Sequence, residues 1–155
     1  MPGRDGTLDS LVENESEIYF EGMSLNMFSD IYRGKKVLLT GNTGFKGSWL
    51  TCWLVKLGAE IVGVSKDVPT KPAMFEDLQL ESMIKHHICD IRDLEAISKI
   101  VNAERPDIIF HLAAQAIVST SYDNPIETMT TNAVGTMNMM EVLRKISWSC
   151  SVVLI

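Results

Sequence analysis

From residue 35 onward the apolar positions alternate between two periods. Lys36-Val37-Leu38-Leu39-Thr40 is a short, nearly unbroken apolar run that stops at Gly41, the pattern of a strand buried on both faces. The period then becomes helical. Leu50, Trp53, Leu54 and Leu57 fall at i, i+3, i+4 and i+7, and Gly58 supplies the stop. Ile61-Val62-Gly63-Val64 returns to a strand pattern, followed by Asp67. Residues 68–84 are irregular, with one short helical turn predicted near Met74–Leu78, after Pro69 and Pro72. His86-His87-Ile88-Cys89 predicts a third strand. Leu94, Ile97, Ile100 and Val101 predict a helix that ends before Pro106. Asp107 to Leu112 reads as a fourth strand. A long helix is predicted from Asn124-Pro125, with Asn as N-cap, Pro at N1 and Glu127 placed for a capping box. Its stripe is Ile126, Met129, Ala133, Met137, Met140 and Leu143, expected in the core or at a subunit interface. Ser151-Val152-Val153-Leu154-Ile155 predicts a fifth strand.

Strands alternating with helices imply right-handed crossovers and a parallel sheet with helices on both faces. The expected fold is α/β, a doubly wound parallel sheet in the order 3-2-1-4-5, truncated after its fifth strand. The topological switch point then lies between strands one and four, and a ligand is expected at their carboxyl ends. Residues 34–155 form this domain, and residues 1–33, which show no sustained period, are read as a flexible N-terminal extension.

The first strand leads into Thr40-Gly41-Asn42-Thr43-Gly44-Phe45-Lys46-Gly47, with glycines at 41, 44 and 47. Each glycine has a separate reason. One permits the tight turn, one removes the Cβ that would meet a pyrophosphate, and one lets the helix pack closely on the sheet. The free N–H groups and positive end of the helix then attract phosphate. A P-loop is excluded, because its second glycine would fall at Lys46. Asp67, following the second strand, stands where a carboxylate binds the adenosine ribose. It argues for NAD over NADP, and Lys66 beside it argues the other way. Asp90, at the end of the third strand, is placed to accept a hydrogen bond from the adenine amino group. Lys46 at the helix start is a candidate phosphate contact.

Composition narrows the classes. With 155 residues, 46% of them hydrophobic and 22% charged, the chain is one soluble domain rather than a disordered segment. The net charge is −6, but Asp5, Asp9, Glu13, Glu15, Glu17 and Glu21 face only Arg4 before residue 23, so most of the excess sits there. The remainder is almost neutral, which gives no footprint for nucleic acid or an anionic membrane. Cys52, Cys89 and Cys150 are far apart, with no metal-ligand spacing, and are expected as buried, reduced thiols. There is no apolar run long enough to span a membrane and no signal-peptide layout, so a cytoplasmic protein is expected.

Taken together, Thr40-Gly41-x-x-Gly44-x-x-Gly47, Asp90-Ile91, His111-Leu112-Ala113-Ala114-Gln115 and Thr131-Asn132-x-x-Gly135-Thr136 resemble the extended short-chain dehydrogenase/reductases, whose domain is of Rossmann type. Gly44 through Leu50, and the Gln after His-Leu-Ala-Ala, resemble the CDP-glucose 4,6-dehydratases among them. The likeness covers about residues 31–155 and departs at Asn42, where that subfamily usually has His. It implies NAD as cofactor, with Gly41, Thr43, Gly44, Phe45, Lys46 and Gly47 around the pyrophosphate and Asp67 on the ribose. Asp90 and Ile91 would hold the adenine. Leu112, Ala113, Ala114 and Gln115 would line the path to the nicotinamide, with Thr131 and Asn132 nearby. His111 is expected to be a satisfied core histidine.

The implied reaction oxidises a nucleotide sugar at C4, eliminates water across C5 and C6 and returns the hydride to C6. It needs a Tyr-x-x-x-Lys pair beyond the fifth strand. The tyrosines here are Tyr19, Tyr32 and Tyr122, and only Tyr32 has a lysine four residues on, before the first strand. No residue is therefore assigned as catalytic. The chain is expected to be an N-terminal, catalytically inactive fragment lacking its C-terminal substrate domain, and the full-length enzyme a homodimer. A dinucleotide-binding module without catalysis, or part of a UDP- or dTDP-sugar epimerase or dehydratase, is the alternative.

Overall fold

A computed structural model describes residues 27–155. The first 26 residues of the expected extension lie outside the described residues. Met27–Asp30 make a single 3-10 turn, and Tyr32–Ile155 forms one compact unit.

Five parallel strands, β1 (Lys36–Thr40), β2 (Glu60–Ser65), β3 (Lys85–Ile88), β4 (Ile108–His111) and β5 (Ser151–Leu154), form one sheet in the order β3-β2-β1-β4-β5. This is the expected order. The register pairs Thr40 with Val64 on one side and with His111 on the other, so the ends of three strands are level. Helix α1 (Phe45–Lys56) joins β1 to β2. A short helix, α2 (Met74–Asp77), and a 3-10 turn (Leu80–Ser82) precede β3. Helix α3 (Leu94–Glu104) joins β3 to β4. Helix α4 (Val118–Asp123), helix α5 (Pro125–Met129), a π-helical turn (Thr130–Val134) and helix α6 (Gly135–Lys145) join β4 to β5.

Strand alternation divides the core in two. Val37 and Leu39 pack with Leu54 and Ile61 on the α1 face, and Leu38 packs with Val62, Val64, Ile97, Val101, Ile109, Met139 and Val142 on the other. Because β1 is covered on both sides, its run is apolar rather than alternating. Helix α1 ends as expected at Gly58 (φ +81°), with Gly58 N–H on the Val55 carbonyl and Ala59 N–H on that of Leu54, a Schellman arrangement.

Several expectations are corrected. Of the expected α1 stripe, Leu54 is buried and Leu50 and Leu57 pack against the core half-buried, but Trp53 is 44% exposed, and the buried face also takes in Gly47, Ser48 and Thr51. Close approach at Gly47 sets the small residues Gly47, Ser48 and Thr51 against the sheet beside Leu54, while Trp49 and Trp53 face outward. The expected single helix after Pro125 contains the π turn, whose extra residue rotates the remainder of the helix by about 100°. Beyond it Met139 and Val142 are buried and Leu143 packs against the core, while Ile126 and Met129 before the turn and Met137 and Met140 after it lie exposed, outside this chain's core. The capping box does not form; no side chain caps α5, and the Glu127 carboxylate points elsewhere. Of the cysteines only Cys89 is fully buried, and all three are free thiols. Burial raises the Cys89 and Cys150 pKa values, which keeps these thiols protonated.

At the amino edge of the sheet, Glu104 is buried among basic side chains from two strands, Lys36 at the start of β1 and Lys85 and His87 of β3. Lys85 Nζ is 2.7 Å, His87 Nε2 2.9 Å and Lys36 Nζ 3.9 Å from its carboxylate. Burial pushes the Glu104 pKa up, but hydrogen bonds from Lys85 and His87 outweigh it, and the net shift is downward. Glu104→Gln is expected to lower stability by about 2 kcal/mol. A depressed carboxyl stabilises the fold above its unfolded value and loses that contribution as pH falls through the lowered one. Urea unfolding above and below this window tests both statements; equal midpoints for parent and variant at neutral pH would contradict them.

Candidate functional site

The three glycines of the β1–α1 loop differ in what the fold itself requires of them. Gly41 has φ +74°, and a Cβ there would stand 2.9 Å from the Ala113 Cα. A Cβ on Gly47 would collide with the Gly41 carbonyl oxygen and come within 2.8 Å of Asn42 Cα. Both are glycine because backbone occupies the space. Gly44 is different. Its φ of −71° and ψ of 165° suit any residue, and its Cβ would meet only the Gly41 oxygen, at an ordinary 3.4 Å. Packing within the chain does not require glycine at 44, whereas a ligand approaching the backbone does. No side chain caps α1, so its first-turn N–H groups are left for water or an anion. The loop therefore fits a pyrophosphate.

Buried hydrogen bonds tie this loop to the end of β2. Ser65 Oγ donates to Asn42 Oδ1 at 2.8 Å and accepts from Thr43 N–H at 3.3 Å. Thr43 Oγ1 donates to the Asp67 carbonyl at 2.7 Å. Asn42 stands on Gly63, where a Cβ would lie 2.5 Å from its Nδ2, and this explains the glycine inside β2. Phe45 and Lys46 lie exposed at the start of α1, and Asp67 is exposed beyond β2.

Other predicted site residues converge on the same carboxyl edge. Asp90 follows β3 and accepts from Arg92 N–H and Nε, at 2.9 and 3.0 Å. The hydrogen bonds from Arg92 hold the Asp90 carboxyl below its usual range. Ile91 is buried beneath the site, where its side chain would collide with any Cβ on Gly135, so that glycine is a packing residue. Leu112, Ala113, Ala114 and Gln115 follow β4, and Thr131 and Asn132 lie in the π turn. Asn132 grips Gln115 in both directions, accepting from its N–H at 2.8 Å and donating to its carbonyl at 3.1 Å. The Asn132 amide thus fixes the β4 loop.

His111 is 1% exposed, and its hydrogen bonds identify its tautomer. Thr136 Oγ1 donates to the Asn132 carbonyl, so it accepts from His111 Nε2–H at 3.1 Å. Thr40 Oγ1 accepts from Ala113 N–H and donates to His111 Nδ1 at 2.8 Å. The ring is neutral and fully satisfied, the structural role expected for it. Burial lowers the His111 pKa, and burial also lowers that of His86. The unfolded chain therefore binds protons that the folded chain refuses, and stability is expected to fall as pH drops below about 6.5. Thermal melts between neutral and mildly acidic pH check this; a midpoint constant across that range would contradict neutral burial.

Residues that the sequence pattern does not single out include Asn138, whose Nδ2 donates to the Ile91 and Arg92 carbonyls and holds the β3 loop against α6. A polar residue interrupting a helix was the available signal. Arg92, and the pair formed by Lys66 and Glu127, also escape the pattern, because their meaning depends on distant partners.

Residues 38–154 match the family described as GDP-mannose 4,6 dehydratase. The chain belongs to that family. It is 44% identical over 117 residues to a CDP-glucose 4,6-dehydratase of Salmonella typhimurium, covering 76% of this chain and 33% of the relative. It is 31% identical over 120 residues to a CDP-paratose 2-epimerase of Salmonella typhi, covering 76% and 35%. Among solved structures, the UDP-glucose 4-epimerase of Thermus thermophilus in complex with NAD superposes with a TM-score of 0.63 at 28% identity, over 71% of this chain and 34% of that one. The epimerase Mth375 of Methanothermobacter thermautotrophicus gives 0.65 at 30%, over 79% and 35%. The chain spans about a third of the length of these relatives. Both the motif resemblance and the doubly wound fold are borne out. No helix among the described residues is long and apolar enough to cross a membrane.

Proposed function

We propose that this chain is the NAD-binding part of a nucleotide-sugar 4,6-dehydratase acting on CDP-glucose. The observation that carries the reading is Gly44, a glycine the fold does not need, at the carboxyl end of β1 beside the switch point. The 44% identity to a CDP-glucose 4,6-dehydratase favours that sugar nucleotide over its relatives. NAD, when bound, supplies the hydride acceptor. The chain's own residues bind and orient. Gly41, Gly44 and Gly47, with the first turn of α1 bearing Phe45 and Lys46, hold the pyrophosphate. Thr43 fixes Asp67 for the ribose, Asp90 and the Ile91 backbone face the adenine, and Leu112 to Gln115, braced by Thr131 and Asn132, flank the nicotinamide.

Chemistry is not placed on this chain. Tyr32 precedes β1, and Lys36 begins that strand at the edge opposite the glycine loop, where it faces Glu60 at 3.3 Å. The exposed Met129, Met137 and Met140 support a subunit interface in a homodimeric full-length enzyme. Calorimetric titration of the chain with NAD tests the reading and should give one saturable site. A folded chain that binds neither NAD nor NADP leaves only a scaffold. Conversion of CDP-glucose by the chain alone would overturn its assignment as the binding part.

A further inference from the structure

The adenosine end of the site carries a conflict in the sequence, since Asp67 favours a free ribose 2′-hydroxyl and Lys66 favours a 2′-phosphate. The structure gives each cation at this end a carboxylate of its own. Arg92 is held by Asp90 through Nε and Nη2. Lys66 reaches across to the first turn of α5, where its Nζ lies 3.0 Å from Glu127 Oε1 and farther, at 3.9 Å, from Asp67 Oδ2. Nothing about the helix requires this geometry, because Glu127 gives up the capping role its position offers. The pair is also a poor source of stability, with side chains 42% and 46% exposed, and exposed ion pairs contribute little.

We infer that Glu127 is a specificity-determining residue for the cofactor, sequestering Lys66 so that the site takes NAD and rejects NADP. This rests on the proposed dinucleotide site. The groups around the ribose end are Lys66 and Arg92 against Asp67, Asp90 and Glu127, an excess of one negative charge facing any 2′-phosphate. Removing the Glu127 charge cancels that excess and frees an ammonium beside the 2′ position. A basic side chain near this position is how related folds accept the extra phosphate.

The test is the ratio of NADP to NAD affinity, measured by calorimetry on the chain, on Glu127→Gln, and on Glu127→Gln combined with Lys66→Ala. The single variant is expected to raise the ratio about tenfold, chiefly through tighter NADP binding, and the double variant to return it towards the parent value. Three outcomes would overturn the inference while sparing the site: an unchanged ratio, a parallel loss of both cofactors, or a gain that survives Lys66→Ala. If the parent chain binds neither cofactor, the dinucleotide reading fails first and the inference falls with it.

Discussion

Gly44→Ala is expected to weaken NAD binding about 30-fold while changing thermal stability little. The methyl group would project into space that the chain leaves open, touching only the Gly41 carbonyl oxygen at 3.4 Å. The backbone at 44 is extended and suits alanine. Some loss at the N-cap is expected, below about 1 kcal/mol, because alanine caps less well than glycine. A pyrophosphate lying against this backbone would meet the methyl directly. Overpacking of one carbon costs about 2 kcal/mol, which is about 30-fold in affinity. Calorimetric titration beside a thermal melt separates the two effects. Unchanged NAD affinity would place the cofactor elsewhere and remove the main support for the proposed function. A large fall in melting temperature would show that Gly44 serves the fold after all.

Much of this architecture is legible in the sequence, for identifiable reasons. Buried parallel strands such as β1 and β2 announce themselves as continuous apolar runs, and all five strands appear where the sequence predicts them, shifted by about a residue at their ends, although β3 and β5 at the sheet edges are not buried. Gly58 and Pro106 mark helix ends by chemistry that acts within a few residues, and the structure adds Asp93 as the side-chain cap that opens α3. What escapes is whatever depends on distant partners. The stripe of α1 holds for its leucines but not for Trp53, and it does not show that Gly47, Ser48 and Thr51 share the buried face, which the close approach at Gly47 requires. The stripe after Pro125 lies mostly outside this chain's core, and the π turn inside it cannot be read from a 3.6-residue period. Helix α4, polar but for Val118 and Tyr122 and buried nowhere, gives no periodic signal at all.

The site shows the same division. The glycine spacing, Asp67 and Asp90 are visible because they are local to strand ends. Glu127 is visible too, but with the wrong partner, since a capping box is a local rule and Lys66 lies 61 positions away. Asn132 does lie beside the β4 loop, yet its amide is spent on the Gln115 backbone. Such residues hold the loops at the carboxyl edge of the sheet, so their substitution would act through the loops rather than through a lost contact.

Gly47→Ala is expected to be the most damaging single substitution in the loop, lowering stability by about 3 kcal/mol or more. The added carbon would overlap the Gly41 carbonyl oxygen and lie 2.8 Å from Asn42 Cα, and neither backbone atom can rotate away. Relief requires α1 to lift from β1, which would strain the hydrogen bond from Ser48 Oγ to the Asn42 carbonyl and uncover Leu54. NAD affinity is expected to fall as well, but by a different route from Gly44→Ala: the loop loses its shape instead of its empty space. The two variants therefore make a contrast. Gly47→Ala should unfold at much lower urea and lose binding in step with structure, whereas Gly44→Ala should stay close to the parent's unfolding midpoint and lose chiefly binding. If Gly47→Ala keeps the parent's stability, the close helix–sheet approach is not what holds this loop. The separation of fold-serving from ligand-serving glycines, on which the functional reading stands, would then have to be abandoned.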